Sequence, residues 1–137
     1  MSFSQTLKPF DLRQAFILLV ALYSLASLAH FVHNAEYLAL YPNMPGWITR
    51  AGVYGAWLGV AAVGVGGGLL HRLGFQKAGL LVLGLYGGLG LDGLMHYSLA
   101  PVQAHSLGMN LSIWAEALSG AALLVTALLL IRSLLRR

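Results

Sequence analysis

The sequence predicts an all-α polytopic membrane protein: a four-transmembrane-helix bundle, one domain over residues 1–137, with both termini in the cytoplasm. Three observations point there. Hydrophobic residues make up 58% of the 137 and charged residues only 9%, more apolar side chain than one soluble core of this length can hide. Apolar stretches at 14–40, 51–70, 78–99 and 111–131 each reach the roughly 20 residues a helix needs to cross a hydrocarbon layer. Finally, Lys8, Arg13, Arg72, Lys77, Arg132, Arg136 and Arg137 all fall on one side of a four-pass layout and only Arg50 on the other, the bias that places Lys and Arg in the cytoplasm.

The elements follow in chain order. The first span runs to Leu40 and exceeds the roughly 7–15 apolar residues of a signal peptide, with no A-x-A-like site closing it, so it is expected to stay as a membrane helix. It gives way to "LYPNMPGWITR", whose two prolines, glycine, Trp47 and Arg50 read as a turn at the membrane surface. The second span carries Gly55-x-x-x-Gly59 and the third Gly84-x-x-x-Gly88, small-residue spacings that let helix backbones approach in lipid. "HRLGFQK" separates those two spans, and "IRSLLRR" closes the fourth.

Composition also excludes several functions. The net charge of +4 is accounted for by topology and anionic headgroups, so no nucleic-acid partner is expected. The absence of cysteine removes disulfides, thiolate metal sites and thiol redox chemistry. No P-loop, G-x-S-x-G, H-E-x-x-H or dinucleotide fingerprint is present. The expected location is a bacterial inner membrane, with the lipid bilayer as the principal partner and a homo-oligomer or a larger membrane complex as further assemblies.

The ionisable residues carry the functional signal. Of the acids Asp11, Glu36, Asp92 and Glu116, all but Asp11 fall inside predicted spans, where charged groups face a bundle interior or a cavity and mark function. "HFVHNAEY" places His30, His33 and Glu36 in the first span; His96 closes the third, and His105 follows in the loop. At a rise of about 1.5 Å per residue, His33 lies about 10 Å below the outer surface, Glu36 about 6 Å, His96 about 6 Å, Asp92 about 12 Å and Glu116 about 9 Å. Three helices thus bring polar groups to one layer under the periplasmic face. On an α-helix Asp92 and His96, at i and i+4, would share a face, as would His30 and His33 at i and i+3.

Imidazole nitrogen and carboxylate oxygen are ligands for zinc, copper or non-haem iron. His33, Asp92, His96 and His105 are the expected metal ligands, with Glu36 and Glu116 as additional ligands or catalytic proton-transfer groups; for Glu36 the alternative is an interfacial pair with Arg50 that would remove it from the site. His30, Tyr37 and Asn110 would support them. The all-N/O set tilts against Cu(I), while Met44, Met95 and Met109 near this face keep copper open.

The D-x3-H pair Asp92/His96 followed by His105 resembles the copper-ligand motif in the C subunit of the membrane-bound methane and ammonia monooxygenases. That resemblance covers residues 92–105 and implies a three-ligand copper site made by Asp92, His96 and His105. The metal would serve a membrane metalloenzyme acting on a small or lipid-soluble substrate, or a metal-handling protein. Three alternatives stand beside it. One is metal-free acid/base chemistry on a lipid, in which His33, Glu36, Asn110, Trp114 and Glu116 are similar in residue type, though not in spacing, to emopamil-binding sterol isomerases. Another is b-type haem held by His33 and His96. The last is an accessory subunit of a larger complex.

Overall fold

The computed structural model describes residues 12–136; Lys8, Asp11 and Arg137 lie outside the described residues. Every regular element among the described residues is helical: α1 Leu12–Glu36, α2 Arg50–Arg72, α3 Gln76–Leu89, α4 His96–Leu99 and α5 Leu107–Leu135, with short 3₁₀ turns at Leu38–Leu40, Gly90–Met95 and Val102–Ala104. Four helical segments are long and apolar enough to cross a membrane: Leu12–Glu36, Arg50–Arg72, Gln76–Leu99 and Leu107–Leu135. The first ends four residues before the expected Leu40, because the chain tightens into the Leu38–Leu40 turn and then extends at Tyr41.

The distribution of side chains suits lipid. Ile17, Leu18, Leu25, Leu58, Val65, Leu111 and Leu118 point outward, while His30, Asn34, His96, Glu116 and Ser119 are buried. This is the arrangement expected where the surrounding solvent is hydrocarbon and polar groups must be satisfied within the bundle.

α5 packs on α1 and α3, and α2 packs on α3 and less extensively on α1. Phe16, Tyr23, Leu80, Leu83, Tyr86, Leu123 and Ala127 form the apolar core. Arg13, His71, Gln76 and Ser133 line a single cavity, so the start of α1, the α2–α3 turn and the end of α5 share one end of the bundle. That turn closes on Gly74, whose φ of +94° lies in the left-handed region that glycine occupies without strain. It delivers α3 so close to α2 that a Cβ on Gly79 would stand 2.5 Å from His71 N. At the opposite end Ser106 caps α5. Its Oγ accepts from Met109 N at 3.3 Å and its own N–H donates to Met109 Sδ at 3.4 Å, a thioether standing where a capping box usually has Glu or Gln.

The glycine contacts differ from the sequence expectation. A Cβ on Gly55 or Gly59 would meet nothing within 4 Å, so that spacing packs against no helix of the bundle. α2 instead meets α3 through Gly64, set against Tyr86, and Gly67, set against Leu83. Gly84 does pack, on Ala127 of α5, but the closest crossing is at Gly87 and Gly120, where a Cβ on either would collide with the carbonyl oxygen of the other. Spacing alone cannot tell which face of a helix meets a neighbour. Gly87→Ala or Gly120→Ala should therefore destabilise the bundle by about 1–3 kcal/mol, the usual cost of overpacking, while Gly59→Ala leaves stability unchanged. Unfolding of the purified variants by titration with a denaturing detergent reads the difference.

Candidate functional site

α1 presents Tyr23, Ser27, His30 and Asn34 as a continuous buried stripe, spaced at alternating four and three residues as one helix face requires. α5 answers with Glu116 and Ser119, both buried. His30 and Glu116 meet across the bundle, with His30 Nε2 3.7 Å from Glu116 Oε2 and side chains only 4% and 2% exposed. They share the space over Gly93: a Cβ there would lie 3.2 Å from Glu116 Oε2 and 3.6 Å from His30 Nε2. The other imidazole nitrogen, His30 Nδ1, is 3.1 Å from Ser112 Oγ, and Ser112 Oγ donates to Met109 O at 2.9 Å. Tyr23 and Ser27 adjoin Glu116 on its far side.

A second group of rings sits toward the Tyr41 end. Tyr41, buried in the α1–α2 connection, is 3.0 Å from His33 Nδ1 through its hydroxyl and lies against His96 at a centroid separation of 4.8 Å. Its hydroxyl also meets Ser112. His96 Nε2 accepts from the Asn34 amide nitrogen at 3.1 Å, and the His96 ring is 5.5 Å from His30 and 6.2 Å from His105. His105 is buried with Nδ1 3.1 Å from Pro101 O, while its Nε2 has no hydrogen-bond partner among the described residues. Asn110 organises this loop, accepting from Tyr97 OH at 2.8 Å and donating to Val102 O and His105 O at 3.2 Å.

The expected site residues therefore fall into different places. His96 and His105 are brought together, with His30 beside them. Asp92 is exposed and His96 buried, which corrects the expectation of a shared face. The reason is local: Gly90–Met95 is 3₁₀ helix, whose three residues per turn set positions i and i+4 about 120° apart instead of about 40°. Glu36 also leaves the layer. It pairs with Arg50 at 2.6 Å and accepts from Tyr54 OH at 2.6 Å, an exposed anchor at the start of α2.

His33 is half-buried and packs against the exposed Tyr37 at 4.8 Å, so Tyr37 supports only this ring. The Tyr41 phenol contacts both His33 and His96, the pair expected as axial haem ligands. Among the described residues no group of three or more His, Asp or Glu side chains is placed to hold a metal ion. Comparison with family models, curated proteins and solved structures found no match to this chain. The likeness to the monooxygenase C subunit accordingly rests on Asp92, His96 and His105 alone, of which Asp92 is exposed and the other two are buried.

Tyr41 was not among the expected residues, since a loop aromatic carries no periodic signal. Tyr23, Ser27 and Asn34 are likewise outside the expected set, although their spacing with His30 is that of one helix face.

Two outcomes follow. Ser112→Ala, which removes the partner of His30 Nδ1, should cost about 1–2 kcal/mol of stability, whereas Glu36→Ala, breaking an exposed pair, should cost less than about 1 kcal/mol; detergent unfolding compares them. Burial pushes the Tyr41 phenol from 10.0 up to about 12, against a smaller opposing effect of Ser112. The folded protein thus holds this proton more tightly than the unfolded chain. The resulting stability is intact below pH 10.0 and is lost as pH rises toward about 12. The alkaline fall in stability should be shallower in Tyr41→Phe.

Proposed function

We propose that this chain is an integral membrane protein whose bundle interior carries a metal-free acid/base pair, His30 and Glu116, exchanging a proton in the service of a small or lipid-soluble substrate. The observation that carries this reading is the separation of 3.7 Å between His30 Nε2 and Glu116 Oε2 with both side chains sealed from the surface. At 3.7 Å the two atoms stand just outside hydrogen-bond distance, close enough for a small side-chain movement to set a proton between them, on nitrogen or on oxygen. With the proton on Oε2 and a second on His30 Nδ1, or with both on the ring and Glu116 ionised, the pair as a whole is neutral. The two arrangements differ only by movement of one proton across the gap. A histidine beside a carboxyl in a dry pocket is the combination that acid/base chemistry uses near neutral pH.

The neighbouring donors favour the same reading. His33 Nδ1 is committed to Tyr41, His96 Nε2 to Asn34, Asp92 is exposed and Glu36 is paired with Arg50, while His30 and Glu116 are the buried imidazole and carboxyl that face one another. By the charge bias the His71 end would face the cytoplasm and the Tyr41 end the periplasm of a bacterial inner membrane.

A metal-handling reading with copper, zinc or iron draws on a different observation, the buried and partnerless His105 Nε2 beside His96. His96 and His105 would be its ligands, and His33 or Asp92 would have to turn inward to complete the set.

Infrared spectra of the purified protein, titrated with acid and base, test the first reading. The wild type should show a carboxyl band that changes with pH, absent in Glu116→Gln and displaced in His30→Gln. Identical spectra for wild type and Glu116→Gln would rule it out. Stoichiometric copper, zinc or iron in the wild type, lost in His105→Ala, would favour the metal reading.

A further inference from the structure

The His30–Glu116 pair is sealed, so a proton it exchanges needs a path. Around Glu116, α1 contributes Tyr23, Ser27 and His30, the Gly90–Met95 segment contributes the Cβ-less Gly93 and the exposed Asp92, whose charge reaches the carboxyl, and the α1–α2 connection contributes Tyr41. Toward the opposite end lies the core of Phe16, Tyr23, Leu80, Leu83, Tyr86, Leu123 and Ala127, where the Tyr86 hydroxyl donates to Ser24 and Ser24 donates to the backbone at Val20, a short side chain-to-backbone run bordered by apolar residues. Toward the Tyr41 end the polar groups are continuous.

A cavity of about 300 Å³ opens there, lined by His33, Tyr37, Ser106 and Met109 among others, with room for several waters. His33 Nε2 lies over Gly108, where an added Cβ would stand only 3.1 Å away, so the glycine leaves this nitrogen uncovered. From His33 Nδ1 a contact of 3.0 Å runs to Tyr41 OH, Ser112 lies within electrostatic reach of that hydroxyl, and Ser112 Oγ stands 3.1 Å from His30 Nδ1. His30 Nε2 then faces Glu116. Each member of this row can accept a proton on one side and release another on the other side.

We infer that His33, Tyr41, Ser112 and His30 form a proton relay connecting the cavity beside Tyr37 with Glu116. The inference rests on the proton-exchange reading of the His30–Glu116 pair and names its route of access. From the neutral pair the first transfer runs outward: the Glu116 proton adds to His30 Nε2 and the His30 Nδ1 proton passes to Ser112 Oγ. The Ser112 proton passes to the Tyr41 oxygen, the phenolic proton to His33 Nδ1, and the His33 Nε2 proton to cavity water. Every intermediate group gains one proton and loses one, so the net change is one proton moved from carboxyl to cavity, and the reverse sequence returns one. Rotation of the two hydroxyls and a tautomer exchange in each imidazole reset the row. Breaking one link should slow delivery without removing the acceptor. This separates the relay from a merely structural hydrogen-bond network.

The test is hydrogen–deuterium exchange at the Glu116 carboxyl, followed by time-resolved infrared after the full-length protein in lipid nanodiscs is mixed with D₂O; the band is assigned by its absence in Glu116→Gln. Tyr41→Phe keeps the ring against His96 and deletes only the hydroxyl, and Ser112→Ala deletes the next link. Each should slow exchange on the order of tenfold or more, and Gly108→Val, which covers His33 Nε2, should do the same. Exchange as fast as wild type in both Tyr41→Phe and Ser112→Ala would overturn the relay while leaving the acid/base pair in place. Slowing by Ser27→Ala but not by Tyr41→Phe would overturn it in favour of entry from the far side. A wild-type Glu116 band that never exchanges would overturn the acid/base pair itself, and the relay with it.

Discussion

Much of this molecule follows from the crossing of α3 and α5 at Gly87 and Gly120, where two backbones touch with no side chain between them. The close approach lets Tyr23 of α1 wedge its ring against Gly90 and Gly120, where it also meets Tyr86 edge-on at 4.6 Å. Dispersion contacts of this kind carry helix association in lipid, because hydrocarbon solvent removes the hydrophobic difference between inside and outside. One turn further along, the same proximity brings Gly93 over Glu116 and His30. A larger residue at the crossing would part the helices and open the polar layer to lipid, where an unsatisfied carboxyl or imidazole is costly.

The polar layer in turn depends on a change of helical pitch. α3 passes at Gly90 into a 3₁₀ segment before α4 resumes at His96. Tightening the helix rotates Asp92 outward and His96 inward, so one helix supplies the interior with an imidazole and not with the carboxylate four residues earlier. The glycines at 90 and 93, both buried, permit the segment to lie flush against α5. The carboxyl that reaches the interior therefore comes from α5, and its partner His30 from α1.

The two loops at the Tyr41 end complete the arrangement from outside the helices. Tyr41 inserts between imidazoles of α1 and α4, and Asn43, with φ 57°, anchors the same loop by donating to Leu99 O at 2.8 Å. Asn110 holds the 100–106 loop from the first turns of α5 and thereby fixes His105. Short loops with few polar residues thus position two of the rings that meet His96, a task the spans themselves could not perform because their polar residues face one another.

The amino-acid sequence by itself determined the class of the protein: long apolar runs, few charges and basic flanks leave four membrane-crossing helices as the arrangement that satisfies every backbone group in lipid. It also raised the expectation that imidazoles and carboxyls share one depth, since depth follows from counting residues along a helix; His30 and Glu116 do meet, while Glu36 pairs with Arg50 instead. It did not determine which of them would meet. Azimuth depends on where a helix tightens, as at Gly90–Met95, and on which glycines find a neighbour, as Gly87 and Gly120 do and Gly55 and Gly59 do not. Glu36 and His33, so conspicuous in the chain, were claimed by Arg50 and Tyr41, and His30 became the partner of Glu116. Only the tertiary structure decided this, because His30 and Glu116 come from helices far apart in the chain, and the nearer pairs depend on how the connection after α1 folds back on it.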